Sequence, residues 1–245
     1  MIEIKSASIS FGKKNVLQNV SVKSEIMSNT VILGKNGSGK SVLLKIAAGL
    51  LVPDSGEVLF DGKKISHEDY FRANKLSIGY VFQKGGLFDS MNLFDNVAFP
   101  LRRKGLTENE IPDIVLYNLR RVGLEGSEEK FPTELSGGMQ KRAGIARVLA
   151  MKPKVILYDD PAAGLDPVLT DSIADLILEI RETEKTTSLI VTHDMKFAEK
   201  IADDIVLLDS SQIVFYGDKN KFFSLEDPFA HQFVKGEIEG PIECQ

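Results

Sequence analysis

The chain has 245 residues, 43% of them hydrophobic and 27% charged, with a formal net charge of −5. That composition is ordinary for a globular protein of one large unit or two small ones, and its acidic balance supplies no global basic field to favour nucleic acid. No apolar run approaches the roughly 20 residues that span a bilayer, the charged start Met1-Ile2-Glu3-Ile4-Lys5 does not read as a signal peptide, and one cysteine, Cys244, excludes a disulfide framework and a cysteine metal site.

Ile2, Ile4 and Ile9 alternate loosely with polar residues, and Val20, Val22 and Ile26 repeat the pattern, which predicts two half-buried antiparallel strands. Thr30-Val31-Ile32-Leu33 reads as a buried strand. It runs into Gly34-Lys35-Asn36-Gly37-Ser38-Gly39-Lys40-Ser41, which fits G-x-x-x-x-G-K-[ST], and Val42–Ala48 then reads as a helix. A phosphate-cradling loop needs that context of strand, glycine loop and helix. The glycines let backbone N–H groups turn inward around a polyphosphate, and the helix start adds partial positive charge. In this reading Lys40 reaches the β- and γ-phosphates and the Ser41 hydroxyl ligates Mg²⁺.

Val58-Leu59-Phe60 before Asp61-Gly62 predicts a strand meeting a tight turn, and Ile78-Gly79-Tyr80-Val81-Phe82 predicts a buried strand ending at Gln83. Residues 87–150 are mostly helical in pattern, with breaks expected at Pro100, Gly105, Pro112, Gly123 and Pro132. Within them, Leu135-Ser136-Gly137-Gly138-Met139-Gln140 precedes a helix carrying Met139, Ala143, Ala146 and Ala150 on one face. Ser136 is placed as an N-cap, and Gly137 and Gly138 leave the helix start bare for an anion; taken alone, an ordinary serine-capped helix is the stronger reading.

Val155–Tyr158, Ser188–Val191 and Ile205–Leu208 are short apolar runs that suit a parallel sheet covered on both faces. Between the first two, Asp171–Glu184 has Ile173, Leu176, Ile177 and Ile180 at helical spacing, so the order predicts right-handed crossovers and a doubly wound α/β sheet. Asp159 ends one run, where a carboxylate beside a phosphate loop can hold Mg²⁺ directly or through water; the alternative for Asp159-Asp160-Pro161 is a plain strand-ending turn. Asp160 follows it and can orient or deprotonate an attacking water. His193 ends the next run; a lone histidine is more often structural than catalytic, but at a strand end beside a phosphate site it can donate to a γ-phosphate.

Together these pieces resemble an ATP-binding cassette (ABC) ATPase over nearly the whole chain. The resemblance implies a P-loop NTPase fold: a RecA-like doubly wound core with an N-terminal antiparallel β subdomain and an inserted helical subdomain. It implies one ATPase domain over 1–245, with the core at 1–86 and 151–220, the helical subdomain at 87–150 and a C-terminal extension at 221–245. Gly34–Ser41 matches the Walker A loop and Val155–Asp159 matches Walker B. Gln83 matches the glutamine that contacts Mg²⁺, and Leu135–Gln140 matches the LSGGQ signature with Met139 at its fifth position. Gly164-Leu165-Asp166 matches the D-loop, His193 the switch histidine, and Phe11 the aromatic that stacks on adenine. The family binds ATP between the Walker A loop of one cassette and the signature of another, so the resemblance implies a homodimer holding two ATP, with Ser136 gripping the γ-phosphate bound by the other copy's Lys40. Asp160 departs from the family pattern, which has glutamate there.

Tyr80–Ser90, Asn96–Leu101, Glu134–Arg142 and the tail stretches Asp227–Phe229, Gln232–Gly236 and Glu239–Ile242 resemble the ATPases of MCE-type lipid transporters, such as the Mla system of Gram-negative bacteria and its chloroplast counterpart. That resemblance implies an integral membrane permease, an MCE-domain lipid-binding protein and a STAS-domain protein as partners. It also implies phospholipid transport, no nucleic-acid partner, and a peripheral position on the cytoplasmic face of the inner membrane. The alternatives are an ATPase of another ABC importer or exporter, or a soluble cassette of the iron–sulfur assembly type. Four phenylalanines, at 222, 223, 229 and 233, predict that the tail packs on the cassette or reaches across to a second copy. Leu87, Phe88 and Met91 read equally as exposed anchors for the permease and as a small core of the helical stretch.

Overall fold

The computed structural model describes residues 1–65, 77–237 and 239–242; Cys244 lies outside them. Strands β1 (Ile2–Phe11), β2 (Lys14–Ser24), β4 (Ser55–Phe60) and β5 (Lys63–Lys64) form an antiparallel sheet in the order β2-β1-β4-β5. Strands β3 (Asn29–Leu33), β6 (Ile78–Val81), β7 (Val155–Asp159), β8 (Thr187–Val191), β9 (Asp204–Asp209) and β10 (Gln212–Asp218) form a second sheet in the order β10-β9-β3-β8-β7-β6. Its pairs are parallel except β10, which returns antiparallel to β9.

The apolar runs become strands buried on both faces because successive side chains alternate across the pleat. Val31, Ile156, Ile190 and Leu207 enter one core, while their neighbours Ile32, Leu157, Leu189 and Leu208 enter the other. The second core lies between this sheet, the antiparallel sheet and helix α1 (Lys40–Ala47). The first is covered by α2 (Leu93–Lys104), α3 (Ile111–Arg121), α4 (Gly137–Leu149), α5 (Pro167–Glu184), α6 (Met195–Ile201) and the tail. No helix among the described residues is long and apolar enough to cross a membrane.

Some local expectations fail, at Ile26, Phe82 and Pro100, and the breaks expected at Gly105, Pro112 and Pro132 hold, each for an identifiable reason. Strand β2 stops at Ser24, and Ile26 sits exposed in the following turn. Strand β6 stops at Val81, so Phe82 leaves the sheet and is 41% exposed. Pro100 lies inside α2 and does not break it. It cannot donate to the Asn96 carbonyl, but burial of Leu93, Val97, Ala98 and Leu101 on one face holds the helix through that gap. Pro112 and Pro132 stand at the starts of α3 and of the 3₁₀ turn Pro132–Glu134, where a missing N–H costs nothing. Gly105 ends α2 as a left-handed cap at φ +87°.

The tail folds back on its own cassette. Helix α7 (Lys219–Phe223) carries Phe222, fully buried and edge-on to Phe215 and Phe223 at 5.1 and 5.2 Å between ring centres. Helix α8 (Pro228–Lys235) places Gln232 inward, where its side chain mimics a strand edge. Its Nε2 donates to the Ile242 carbonyl (3.0 Å) and its Oε1 accepts from the Ile242 N–H (2.6 Å).

The first core holds an unsatisfied polar group. The Tyr158 side chain is fully enclosed and its hydroxyl has no hydrogen-bond partner. Removing such an orphan relieves a desolvation penalty. Tyr158→Phe is therefore expected to raise stability by about 1 kcal/mol, or Tm by about 2–4 °C in a protein of this size, a gain that calorimetry detects; a loss of stability would mean that the hydroxyl is bonded in solution.

Candidate nucleotide site

The site forms at the carboxyl ends of adjacent parallel strands, where an open α/β sheet presents its crevice. The glycine loop follows β3, Asp159 closes β7, and Thr192 and His193 follow β8. A cavity of about 270 Å³ there is lined by Asn36, Gly37, Gly39, Lys40, Ser41, Gln83, Asp159 and Asp160, with Val16, Val42 and Val191 as apolar neighbours.

The loop is built for close backbone approach. At Gly34 (φ +153°) an added Cβ would lie 2.3 Å from the Leu208 carbonyl oxygen, so the strand-to-loop exit has room for hydrogen only. Lys40 bends back over the loop and donates to the carbonyls of Gly34 (2.7 Å) and Lys35 (2.8 Å). Burial lowers its pKa, against the opposing pull of Asp160 and Asp159. The Ser38 hydroxyl is enclosed in the loop and has no partner.

Ser41, at the start of α1, donates to Asp159 Oδ1 at 2.7 Å, and Tyr80 donates from β6 to Asp159 Oδ2 at 2.8 Å. Desolvation, and then the Asp159 charge, push the Tyr80 pKa up, so its hydroxyl stays a donor. The Ser41 hydroxyl and the Asp159 carboxylate, facing one another with Gln83 on the same cavity wall, are hard oxygen donors. That set suits Mg²⁺, which takes one or two protein ligands and completes its shell with phosphate oxygens and water.

Asp160 is in the left-handed region at φ +49°, which aspartate tolerates better than most residues. Its N–H donates to the Val191 carbonyl (2.9 Å), anchoring the turn to β8. Asp160 Oδ2 pairs with His193 Nδ1 at 2.8 Å, and Oδ1 accepts from Thr192 Oγ1 at 3.3 Å. Lys141 of α4, only 6% exposed, donates to the backbone carbonyls of Gln83 (3.0 Å) and Asp160 (3.4 Å).

The remaining predicted residues do not line this cavity. Phe11 stands half-exposed at the end of β1. Ser136 caps α4 by accepting from the Met139 N–H (3.3 Å), and Ser136 and Gly137 face solvent. Gly138 packs toward Leu169 and Leu165. Asp166 is the N-cap of α5, accepting from Val168 and Leu169 N–H at 2.9 Å each. Tyr80, Thr192 and Lys141 are the contributors that the residue pattern did not single out. A tyrosine in an otherwise apolar strand, and a lysine four residues before Ile145 on the buried face of α4, were the available signals.

A model of the ABC transporter family matches residues 17–163. The chain belongs to the ABC transporter ATPase family. Two curated relatives match along nearly its full length. The probable ribonucleotide transport ATP-binding protein mkl of Mycobacterium leprae is 42% identical over 98% of this chain and 70% of its own. The intermembrane phospholipid transport system ATP-binding protein MlaF of Haemophilus influenzae is 37% identical over 99% of this chain and 93% of its own. Among solved structures, the dimeric post-hydrolysis state of the ATP-binding cassette MJ0796 with ADP and Pi superposes with TM-score 0.81 and 30% identity, over 89% of this chain and 99% of that one. The cassette therefore has the P-loop ABC fold, binds ATP and hydrolyses it.

A larger, mostly apolar cavity of about 650 Å³ opens beside the site. Tyr80, Phe82, Phe88, Phe99, Pro100 and Met151 line it, with Lys104 and Arg147 among its charged groups. Phe88 is 42% exposed, tilted against Phe99 at 4.9 Å, with the Arg147 guanidinium over its ring. Fully buried Asn96 fixes the approach to it: its Oδ1 accepts from the Phe88 N–H (2.7 Å) and its Nδ2 donates to the Phe88, Met91 and Asn92 carbonyls. Leu87 instead packs on the core.

Proposed function

We propose that two copies of this cassette close around two Mg²⁺·ATP and drive a phospholipid transporter of the MCE type. The observation that carries the two-copy reading is that the Lys40 loop and the bare start of α4 do not share a cavity in one chain. Each nucleotide then needs a loop from one protomer and Ser136, Gly137 and Gly138 from the other. In this arrangement Phe11 stacks on the adenine and the N–H groups of Gly34–Gly39 wrap the phosphates. Lys40 exchanges its two loop carbonyls for the β- and γ-phosphates. Ser41, Asp159 and Gln83 hold Mg²⁺, which when bound neutralises charge building on the phosphate oxygens. Asp160 orients the attacking water and takes its proton, His193 engages the Asp160 carboxylate from the β8 side, and Asp166 caps the helix that carries the D-loop across the interface.

The apolar cavity beside Phe82 and Phe88 suits the coupling helix of an integral membrane permease, which would hold the cassette on the cytoplasmic face of the inner membrane. The lipid reading rests on the MlaF relative, matched over 99% of this chain and 93% of its own length. An MCE-domain protein and a STAS-domain protein complete the proposed assembly.

Two tests separate the levels. Lys40→Met removes the charged donors and is expected to weaken ATP binding about ten- to a hundredfold, read by calorimetric titration; unchanged affinity would refute the loop assignment. Purification of the tagged chain from membranes in mild detergent is expected to recover an integral permease and phospholipid. Recovery of the cassette without any integral membrane protein would refute the transporter reading.

A further inference from the structure

Tyr80 lines the larger cavity and hydrogen-bonds Asp159, which lines the nucleotide cavity. It lies on β6 opposite Leu157 of β7, and Leu157 and Asp159 are two residues apart, so all three side chains share the face that α1 covers. The ring forms part of the wall of the 650 Å³ cavity and tilts against Phe82 at 4.6 Å. The hydroxyl reaches through the wall to Asp159 Oδ2, leaving Oδ1 turned to Ser41. A carboxylate at a strand end has a free χ2 torsion, and this bond fixes it.

We propose that Tyr80 is a positioning residue: it locks the Asp159 carboxylate in its cation-binding orientation and ties that orientation to the wall of the apolar cavity. The inference rests on the assignment of Ser41 and Asp159 as the Mg²⁺ site. Its physical content is that one side chain has a ring in the apolar cavity and a hydroxyl on a metal-site acid. Anything that displaces the ring, such as an apolar helix entering the cavity, therefore changes how well Asp159 is presented. By reciprocity, engaging Asp159 must bias the ring.

Tyr80→Phe keeps the ring and the cavity wall and deletes only the hydrogen bond. A bond to a charged acceptor supports a change of about tenfold. With full-length protein and ATP titrated by calorimetry, the variant is expected to bind ATP without Mg²⁺ as the parent does. It should need about tenfold more Mg²⁺ for the half-maximal Mg²⁺-dependent gain in affinity. A purely structural role would instead weaken both alike. The chain has no tryptophan and five tyrosines, so a tyrosine ultraviolet difference signal on adding Mg²⁺ to the ATP complex is readable. It should be present in the parent and lost in Tyr80→Phe. Unchanged Mg²⁺ dependence together with a retained difference signal would overturn the proposal. Ser41→Ala separates the two levels: if the parent and Ser41→Ala show the same Mg²⁺ dependence, the metal-site assignment itself has failed, independently of Tyr80.

Discussion

Asp160→Glu is expected to raise ATP turnover, by up to about a hundredfold. The residue after the Walker B aspartate is glutamate in the family pattern, and here it is aspartate. Aspartate is shorter by one methylene, which withdraws the carboxylate by about 1.5 Å, one carbon–carbon bond. The local geometry adds to the effect. Asp160 is held in the left-handed region by its backbone bond to Val191, and its two oxygens are engaged by His193 and Thr192. The short acid is therefore tied to the β8 side of the cavity. A misplacement on the order of 1 Å costs about 10²-fold in rate. The longer side chain reaches further into the cavity while the Asp160 backbone anchor stays. Steady-state phosphate release, measured with the permease assembled, reads the change. A fall or no change would mean that the turn is already built around the shorter acid. Asp160→Asn removes the base, keeps the shape, and should cost a further factor of about 10²–10⁴.

Removing the tail after Gly217 is expected to cost more stability than the loss of any one of its side chains. The deletion strips Phe222 from a fully buried position, uncovers Phe215, and removes the partly buried Phe223, Phe229 and Phe233 together with the Gln232–Ile242 pairing. Phe222→Ala alone should cost about 3–5 kcal/mol, a fall in Tm of about 10 °C, measurable by calorimetry even if the truncated chain fails to accumulate. Unchanged melting of Phe222→Ala would show that the tail does not pack on the cassette in solution. The described tail residues pack on their own cassette, one of the two placements open from the sequence.

What was legible in the chain is what depends on neighbours in sequence. The phosphate loop, the serine cap at Ser136 and the apolar runs of β3, β7, β8 and β9 follow from glycine torsions, capping chemistry and burial on two faces, all written locally. The functional pairings depend on register, which no single strand carries. Tyr80 meets Asp159 only because β6 lies parallel to β7 with Tyr80 opposite Leu157. Thr192 meets Asp160 only because β8 flanks β7 on the other side. Lys141 reaches the Gln83 carbonyl because Gly85 and Gly144 let the loop after β6 press against α4; a Cβ on Gly144 would lie 2.5 Å from the Gly85 oxygen. The misplaced ends, Ile26 and Phe82, share one cause. Each is an apolar side chain just past the last ladder bond, where pattern continues and pairing does not.

On the two-copy proposal, the nucleotide is held between protomers and one copy alone is incomplete. Sedimentation velocity of Asp160→Asn, with and without Mg²⁺·ATP, decides it, since the arrested base keeps bound nucleotide intact. The expected result is a shift from monomer to dimer on adding Mg²⁺·ATP, with two nucleotides retained per dimer and the shift abolished by Ser136→Arg. A chain that stays monomeric with bound Mg²⁺·ATP, while the parent hydrolyses at full rate at high dilution, would contradict it.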